Sequence, residues 1–540
     1  MNGKAWTANP FLIGTLLLAL GVPCAIAADD RKSDDISPEA TLAAAPPAED
    51  SSTVEPCTPK PLPPPSSEHS MSPEARLLPE APDPGLFKPD PCNRDPYNAA
   101  AELEVYGGKK KIVRPQPPIQ WGLRLYDYGA FTPRPTWLGQ KNPIGFHFLT
   151  FGDFRIAGAV NDNGKSVGGK KTQSQIAARL NIDMDAQFTA TERIHLFTRP
   201  IDKNNSFTSY FFDNGVNDKF VHHLDFNIDT LFFEGDIGAI RQGFTGETNH
   251  IDRPFALGRV PIITQNGVWI EDAIDGASIS FTARNSPKYD ISNFDVMFFA
   301  ALNNVTTDAD PGNKARVLGM AGFADLLRGY LEYGVGYLDA DVHGHSYVNA
   351  TVAFSKRYHD HIANSVRLIG NFGQKGVGGV KTADGALLLI ENSLVPTRHF
   401  AWSTVNPLNF VPYLNVFAGF KTPQSLARGA DSGGVLRNTG LAFESDGMTG
   451  YPTLDATAHE AYGGAVGVEY LFGLDRQIVI ETAMVQRRGN SALPGSENSV
   501  SLRYQHPFTP RWILRMDAMK GWMQGQNDIF GARVELRCKF

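Results

Sequence analysis

The end of the chain most constrains its fold, because its last eight residues alternate strictly in polarity and stop on Phe540. Apolar and charged side chains alternate there: the apolar residues are Val534, Leu536, Cys538 and Phe540, and the charged residues are Arg533, Glu535, Arg537 and Lys539. A strand of this kind has one apolar face and one charged face. It suits a wall with lipid outside and water inside. A half-buried terminal strand of a soluble sandwich is the alternative that this stretch alone leaves open.

The same period-two pattern recurs over most of the chain. It is clearest at Ala178–Phe188, where apolar residues from Ala178 to Phe188 alternate with polar residues from Arg179 to Gln187. A soluble sheet rarely keeps one polar and one apolar face for so long. Further segments with this alternation are Leu224–Phe232, Ala277–Arg284, Leu331–Tyr337, Val348–Phe354, Tyr462–Phe472, Val500–Gln505 and Trp512–Ala518.

Composition excludes several other classes of protein. After the apolar run Phe11–Val22 no segment approaches the roughly 18 apolar residues of a membrane helix. A membrane location therefore requires a closed barrel, because only helices and barrels satisfy every main-chain group in lipid. The net charge of −7 without a basic stripe argues against nucleic-acid binding.

The connections between predicted strands alternate between short and long, as in outer-membrane barrels. The pattern predicts an all-β fold, a transmembrane antiparallel β-barrel of about 18 strands (16 to 20) from Gly145 to Phe540, with both termini in the periplasm. The segment Val395–Pro412 interrupts the alternation. Short turns are predicted at Thr189–Glu192, Glu234–Asp236 and Pro507–Arg511, and long loops at Asn161–Gln173, Pro200–Asp218, Thr245–Asp275 and Lys421–His459.

Residues before the barrel have a different composition. Residues 1–27 have the charged, apolar and small-residue layout of a signal peptide. Residues 28–118 hold about half of the 37 prolines and are predicted to be a disordered, low-complexity periplasmic arm, either a spacer or a docking segment for a periplasmic partner. Residues 119–144 are predicted to be a connecting or plug segment. Cys57 and Cys92 are a possible disulfide pair in an oxidising compartment.

Taken together, the signal peptide, the barrel pattern, the turn Pro507–Trp512 and the terminal Phe540 resemble the porin class of Gram-negative bacteria. The resemblance implies an outer-membrane location, contact with outer-membrane lipid, and recognition of Phe540 by the barrel assembly machinery. Within that class, Ile237–Gly243, Trp269 and Asp275–Phe281 are similar to a strand, loop and strand of the alginate-export porins. That family has a strongly basic pore, whereas the inward positions here mix both charges.

Side chains predicted to set the properties of a pore fall into two groups. The long segment Thr245–Asp275 is rich in apolar residues, so we expect it to fold into the lumen as a loop and to form the constriction. Its candidates, together with the preceding arginine, are Arg241, Arg253, Arg259, Glu271, Asp272 and Asp275. The candidates for the lumen-facing wall are Arg179, Asp183, Asp185, Glu332, Arg367, Glu469, Arg503 and Arg515, with Glu481 and Arg533 on the same inward positions. The loop Lys421–His459, with Arg428, Arg437 and Glu444, is a second candidate for a lid or an inward plug.

Two functions follow from the sequence. One is a channel for hydrophilic solutes, with saccharide or polysaccharide transport and ion transport among the options, gated by inward-folded loops. The other is a non-conducting barrel that anchors or scaffolds a periplasmic or surface partner. No enzyme is expected: Asp431-Ser432-Gly433-Gly434 has no identifiable His or Asp partner. No cofactor, metal or nucleic-acid partner is expected either.

Overall fold

The computed structural model describes residues 115–122, 146–167, 170–189, 191–203, 206–212, 218–247, 252–289, 291–359, 361–394, 410–429, 433–444, 447–472, 476–489 and 491–540. These residues form a closed antiparallel barrel of 18 strands, which confirms the predicted fold class. The predicted signal peptide, almost all of the proline-rich arm, most of the connecting segment, and Cys57 and Cys92 lie outside the described residues.

The described chain contains 23 strands and one α-helix. The strands are β1 (Ile119–Trp121), β2 (His147–Val167), β3 (Lys170–Gln187), β4 (Arg193–Thr198), β5 (Asp202–Lys203), β6 (Ser206–Phe212), β7 (Lys219–Val221), β8 (Ile228–Asp236), β9 (Pro254–Thr264), β10 (Ile270–Ser286), β11 (Ile291–Asn303), β12 (Arg316–Leu326), β13 (Gly329–Asp339), β14 (Tyr347–Tyr358), β15 (Ile362–Phe372), β16 (Asp384–Leu394), β17 (Phe410–Thr422), β18 (Ala427–Arg428), β19 (Ala461–Phe472), β20 (Arg476–Arg487), β21 (Glu497–Pro507), β22 (Trp512–Met523) and β23 (Ile529–Lys539). Helix α1 spans Ile237–Thr245.

Antiparallel pairing runs around the whole barrel through β2, β3, β4, β8 to β17 and β19 to β23. The last strand pairs with the first, from Asp153 opposite Lys539 to Asp162 opposite Phe530. Phe540 extends this seam: its amide donates to the Gly152 carbonyl at 3.0 Å, and the Gly152 amide donates to the Phe540 carbonyl at 2.9 Å. The chain therefore closes its barrel with its final residue.

Strand β20 shows which face of the barrel wall points into the lumen and which points outward. Glu481, Ala483 and Val485 are buried, whereas Ile480 is 56% exposed and Met484 is 44% exposed. Successive side chains of a strand point to opposite faces, so the buried set faces the lumen and the exposed apolar set faces outward. The same division holds on β23, where Arg533 and Glu535 are buried and Val534 is exposed.

The predicted turn at Glu234–Asp236 and the predicted strand at Ile237–Gly243 are wrong, because helix α1 occupies this connection. The Asp236 carboxylate accepts a hydrogen bond from the Ala239 amide at 2.6 Å and caps the helix N-terminus. Gly246 ends the helix in the left-handed conformation, with φ of 71°. In the described part of the chain, no helix is long and apolar enough to cross a membrane.

The prediction of one long loop at Thr245–Asp275 is also wrong. The segment contains all of β9 and the start of β10, which pair with each other from Phe255 opposite Ile279 to Thr264 opposite Ile270. Apolar residues on both faces of β9 hide its period-two pattern, and Pro261 is a residue type that is uncommon inside sheets. Because one predicted strand was lost to α1 and one was gained at β9, the predicted count of 18 strands still agrees with the structure.

The seam at Phe540 generates a first prediction. We expect Phe540→Ser to lower the yield of folded, heat-modifiable barrel in outer-membrane fractions, because the apolar terminal side chain is lost while every side chain of the inner wall stays the same. The control is Phe508→Ser, since Phe508 is 55% exposed and lies between β21 and β22, away from the seam. Equal yields of the two variants would contradict a role of Phe540 in assembly.

Candidate functional site: the barrel lumen

The first element that enters the lumen is the β9–β10 hairpin, Phe255–Ile279, called here the inward hairpin; its tip is Val260–Ile274. Strand β9 pairs with β8 only up to Arg259 opposite Leu231, and β10 pairs with β11 only up to Asp275 opposite Asn303. Beyond these points the two strands of the hairpin pair with each other. The tip is therefore no longer part of the barrel wall.

Two paired glycines mark the place where the hairpin leaves the wall. Gly258 stands opposite Gly276, and the pairing of β10 with β11 shifts register between Asp275 and Gly276. Gly258 has φ of 123°, and a Cβ there would collide with the Leu231 carbonyl. Only glycine adopts this backbone conformation without strain, so the bend depends on its absent side chain.

The tip of the inward hairpin reaches the inner wall at β14. The Trp269 indole Nε1 donates to the Asn349 side chain at 2.7 Å, and the Thr351 hydroxyl donates to the Gln265 side chain at 2.8 Å. Trp269 is fully buried and lies against Gly334 of β13, where any Cβ would collide with its ring. The hairpin thus lies across the lumen. Its tip is fixed to β14, which is four strands away from β10, where the hairpin leaves the wall.

The second element is the connection between β17 and β19, residues 423–460, called here the inward loop. Its short strand β18 pairs in parallel with β10, with Ala427 opposite Ile270. The Ser425 hydroxyl donates to the Val268 carbonyl at 2.7 Å, and the Leu426 amide donates to the Trp269 carbonyl at 2.9 Å. The loop and the hairpin therefore form one packed unit.

Glu481, in the middle of β20, holds the inward loop against the wall. Its carboxylate accepts hydrogen bonds from the amides of Leu441 at 2.8 Å and Ala442 at 2.9 Å, and from the Tyr413 hydroxyl at 2.6 Å. Glu481 is 1% exposed and Ala442 is fully buried. The short 3₁₀ turn Leu441–Phe443 is thereby fixed about halfway along the barrel wall.

The next residue of the loop, Glu444, binds two arginines of the wall. Its carboxylate contacts Arg503 on β21 at 2.7 Å and Arg515 on β22 at 3.0 Å. Burial opposes ionisation of Glu444, but the two guanidinium groups outweigh it and hold the pKa of this carboxyl below its ordinary value. The contact is therefore a charge pair at neutral pH.

These two arginines begin a continuous row of charges along the inner wall. Asp517 on β22 binds Arg503 at 2.7 Å, Arg515 at 2.9 Å and Arg533 at 3.0 Å. Arg533 contacts Glu535 at 3.4 Å. Acidic and basic side chains thus alternate from β21 to β23.

The row continues onto the first strands of the barrel. Arg537 contacts Glu535 at 3.4 Å and Asp153 at 3.6 Å, and Asp153 binds Arg155 at 2.9 Å. Arg155 stands opposite Arg179 of β3. The six arginines and four carboxylates from Arg503 and Glu444 to Arg179 are called here the arginine row. It has two more positive than negative groups.

A cavity of about 1540 Å³ lies between the inward hairpin and the wall formed by β3, β4 and β8. Arg179 lines it from the arginine row, and Arg259, Asp275 and Glu271 line it from the hairpin. The apolar side chains of the hairpin and the loop instead form one buried cluster with the inner wall from β11 to β20 and with Met519 of β22 and Ile529 of β23. The lumen therefore has a packed apolar side and an open side, the large cavity, whose lining includes Arg179 of the arginine row and the charged groups of the hairpin.

The structure brings together four of the six predicted constriction residues. Arg259 and Asp275 form an ion pair at 2.7 Å, Glu271 lies 3.5 Å from both Arg428 and Arg437, and Asp272 accepts from the Thr306 amide at 2.7 Å. All four line the large cavity.

The other two constriction candidates lie at the opposite end of β9. Arg241 is an exposed residue of α1 near Glu247, and the Arg253 amide donates to the Asp236 carboxylate just before β9 begins. The structure does not bring them near the inward hairpin's tip.

The predicted lumen-facing residues occupy inner faces of several strands. Asp183 contacts His195 at 3.3 Å, Asp185 contacts Arg193 at 3.3 Å, and Arg367 binds Glu391 at 2.9 Å. Glu332 shares a face of β13 with buried Gly334, and Glu469 shares a face of β19 with buried Gly467. Arg179, Arg503 and Arg515 belong to the arginine row. That these groups line a conducting pore stays a prediction.

Sequence reasoning missed several members of the arginine row. Asp153, Arg155 and Asp517 were not singled out, and Glu535 and Arg537 were named only as part of the charged face of the last strand. The alternation of side chains along β2, β22 and β23 places all five on the inner face. Glu444 was noted only as a charge of a candidate lid. Its partners lie 59 and 71 positions later in the chain, so strand pattern carries no signal for this contact.

No protein-family model matches the chain, and no curated protein matches it. Among solved structures, it is similar to Wzi, described as a carbohydrate-binding outer-membrane β-barrel involved in group 1 capsule assembly in Escherichia coli. That match has 13% identity and a TM-score of 0.40, and it covers 72% of this chain and 85% of Wzi. OccK7 (OpdD) of Pseudomonas aeruginosa matches with 10% identity, a TM-score of 0.46, and coverage of 73% and 98%.

A third similar structure is the outer-membrane protein OpdK of Pseudomonas aeruginosa. It has 10% identity and a TM-score of 0.45, and the match covers 74% of this chain and 99% of OpdK. The barrel assignment for this chain is carried by its own strand pairing.

The contacts of Glu481 generate a second prediction. We expect Glu481→Ala to leave two loop amides without an acceptor, which costs about 1–3 kcal/mol for each buried group. Amide exchange at Leu441–Phe443 should then become about five- to 150-fold faster, as measured by hydrogen exchange with mass spectrometry. Glu469→Ala, on the inner face of the neighbouring strand, is the control. Unchanged exchange in Glu481→Ala would mean that other contacts fix the loop.

Proposed function

We propose that the chain is an outer-membrane channel of a Gram-negative bacterium that passes hydrophilic solutes. The single observation that carries the proposal is the open side of the lumen: a closed barrel contains a large cavity lined in part by ionised side chains, and Arg179, the last residue of the arginine row, lies at its edge. Charged groups on an inner wall bind water and polar solutes. Burying such groups costs free energy unless water reaches them or they are paired with opposite charges.

Selectivity follows from the two faces of the open side. The arginine row lies on the wall from β21 to β3, and Glu271, Asp272 and Asp275 lie on the inward hairpin. Separated charges of opposite sign set a field across the path, which orders water and favours solutes with matching charge or dipole. The arginine row has two more positive than negative groups, whereas the large cavity is lined by four basic and six acidic side chains. Hydroxyl-rich saccharides suit such a mixed polar wall.

Gating follows from the way in which the inward loop is attached. Glu444 joins the loop to Arg503 and Arg515 through an ion pair, and Glu481 joins it through hydrogen bonds. Ion pairs and hydrogen bonds of a loop open more easily than a strand of the wall does. Release of Glu444 would widen the open side and leave the two arginines to the solute.

A second function remains because of the packed side of the lumen. The hairpin and the loop fill it with a cluster that includes Trp269, Leu426, Leu436 and Phe443. A barrel filled to this extent suits a non-conducting anchor or scaffold for a periplasmic or surface partner. Conductance of the purified full-length protein in planar bilayers separates the two functions, since an anchor gives no ion-conducting steps.

The position of Glu444 generates a third prediction, for charge selectivity. A unit charge about 4 Å from a passing ion changes the free energy of that ion by about 1 kcal/mol in a water-like medium. Loss of the negative charge disfavours K⁺ and favours Cl⁻ by this amount each, so we expect Glu444→Gln to raise the chloride-to-potassium permeability ratio about thirtyfold. The readout is the reversal potential of single channels under a KCl gradient.

The matched control for this prediction is Glu460→Gln. Glu460 belongs to the same loop, but its carboxylate accepts from the Lys421 amide and pairs with Arg488 next to the first residue of β19. Its replacement should leave the permeability ratio close to that of the parent protein. A ratio that responds equally to both substitutions, or to neither, would place Glu444 away from the ion path.

A further inference from the structure

One face of the inward hairpin begins outside the barrel and ends inside it. Leu257 lies on the wall-embedded part of β9, is 49% exposed, and stands on the face opposite buried Ala256. The same face continues through Arg259 and Pro261 to Ile263, which is 68% exposed. Because the hairpin bends inward after Gly258, this face passes from the outer surface of the barrel into the lumen.

The partner strand of the hairpin repeats this arrangement. Ala277 stands opposite Leu257 on the outside, and Asp275, Ala273 and Glu271 follow opposite Arg259, Pro261 and Ile263. The face is continuous over both strands, since their register is unbroken from Phe255 to Thr264.

The large cavity has lining residues from both sides of the wall. Leu231, Leu257 and Leu302 belong to outward faces, with exposed fractions of 40%, 49% and 72%. Arg179 and Thr230 belong to inward faces of β3 and β8. A cavity lined by both faces of one wall passes through that wall, at the place where the hairpin has left it.

The two ends of this passage differ in chemistry. Its outer end is apolar, with Leu231, Leu257, Ala300 and Leu302 among its lining residues. Near the bend, Arg259 and Asp275 neutralise each other through two contacts of 2.7 and 3.0 Å. Its inner end carries charged groups of both signs: Arg179, the Arg199 guanidinium with Asp202 and Asp229, and Lys203 with Asp225. Such a passage fits an amphiphile whose hydrocarbon chain enters from the outer end and runs along Leu257, Pro261 and Ile263, and whose polar headgroup lies beyond them among the charged groups.

We propose that this passage is a lateral binding site for a membrane lipid, which inserts a hydrocarbon chain between β8 and β11 from the surrounding bilayer. The occupant is a lipid because the apolar outer end is continuous with the outward apolar face of the barrel, of which Leu257 and Leu302 are part. The site depends on the proposed membrane location of the barrel and not on conductance. It gives amphiphilic molecules access to the lumen from the side.

The test uses a bimane fluorophore on single cysteines of the full-length protein, with the native cysteines replaced by serine, in vesicles of phosphatidylcholine with brominated acyl chains. Ile263→Cys reports on the luminal end of the passage. Two residues of β15 are matched controls: Leu368→Cys on the outward face, and Ser365→Cys on the inner face, where it lines a polar cavity.

We expect brominated chains to quench the label at Ile263→Cys at least half as strongly as at Leu368→Cys, and to leave Ser365→Cys unaffected. Ala300→Trp, which fills the outer end, should remove that quenching at Ile263→Cys and leave Leu368→Cys unchanged. If Ile263→Cys does not fold, Pro261→Cys on the same face takes its place.

Quenching of Ile263→Cys by aqueous iodide alone, or by neither quencher, would overturn the lipid site and leave an aqueous or closed cavity. A label at Leu368→Cys that brominated chains do not quench would instead contradict the membrane location itself. The two failures are therefore distinguishable in one set of measurements.

Discussion

The need to pair every main-chain group governs the rest of this structure. A wall that faces lipid has no water to satisfy a free N–H or C=O, so its last strand must pair with its first. Strand β23 does so along β2, and Phe540 completes the pairing with Gly152. Once the ring of strands is closed, side chains alternate between two environments, and the charged set has only the lumen as its solvent.

The same requirement explains how a piece of the wall can leave it. The inward hairpin keeps its hydrogen bonds because its two strands pair with each other, and β18 covers part of the edge that β10 loses when it parts from β11. The bend is confined to the paired Gly258 and Gly276. The hairpin therefore divides the lumen, but it leaves the wall interrupted between β8 and β11. The large cavity opens at this interruption.

Periodic features were predictable from the sequence, and features formed by contacts between distant segments were not. The alternation at Ala178–Phe188 predicts β3 because lipid and water impose opposite polarity on its two faces. The same pattern did not predict strand β9, because apolar residues occur on both of its faces. Its second half, which includes Pro261, also lies beyond its pairing with β8. Helix α1 carried a signal in Asp236 and Gly246, ten positions apart, that the strand pattern overrode.

The candidate site divides in the same way. The alternation of side chains along the wall strands places Arg503, Arg515 and Arg533 on the inner face. Only the folded loop brings Glu444 to two of them, Arg503 and Arg515. Every other carboxylate of the arginine row belongs to a strand and is held by main-chain pairing on both sides. Glu444 is held by the loop alone, so the row can lose this one negative charge without any change in the wall.

Buried ion pairs gain little net stability when desolvation is counted, yet breaking one leaves a costly unpaired charge. In the proposed channel, movement of the loop would therefore be coupled to the arrival of another anion or of water at Arg503 and Arg515, and the width of the path would depend on what occupies it.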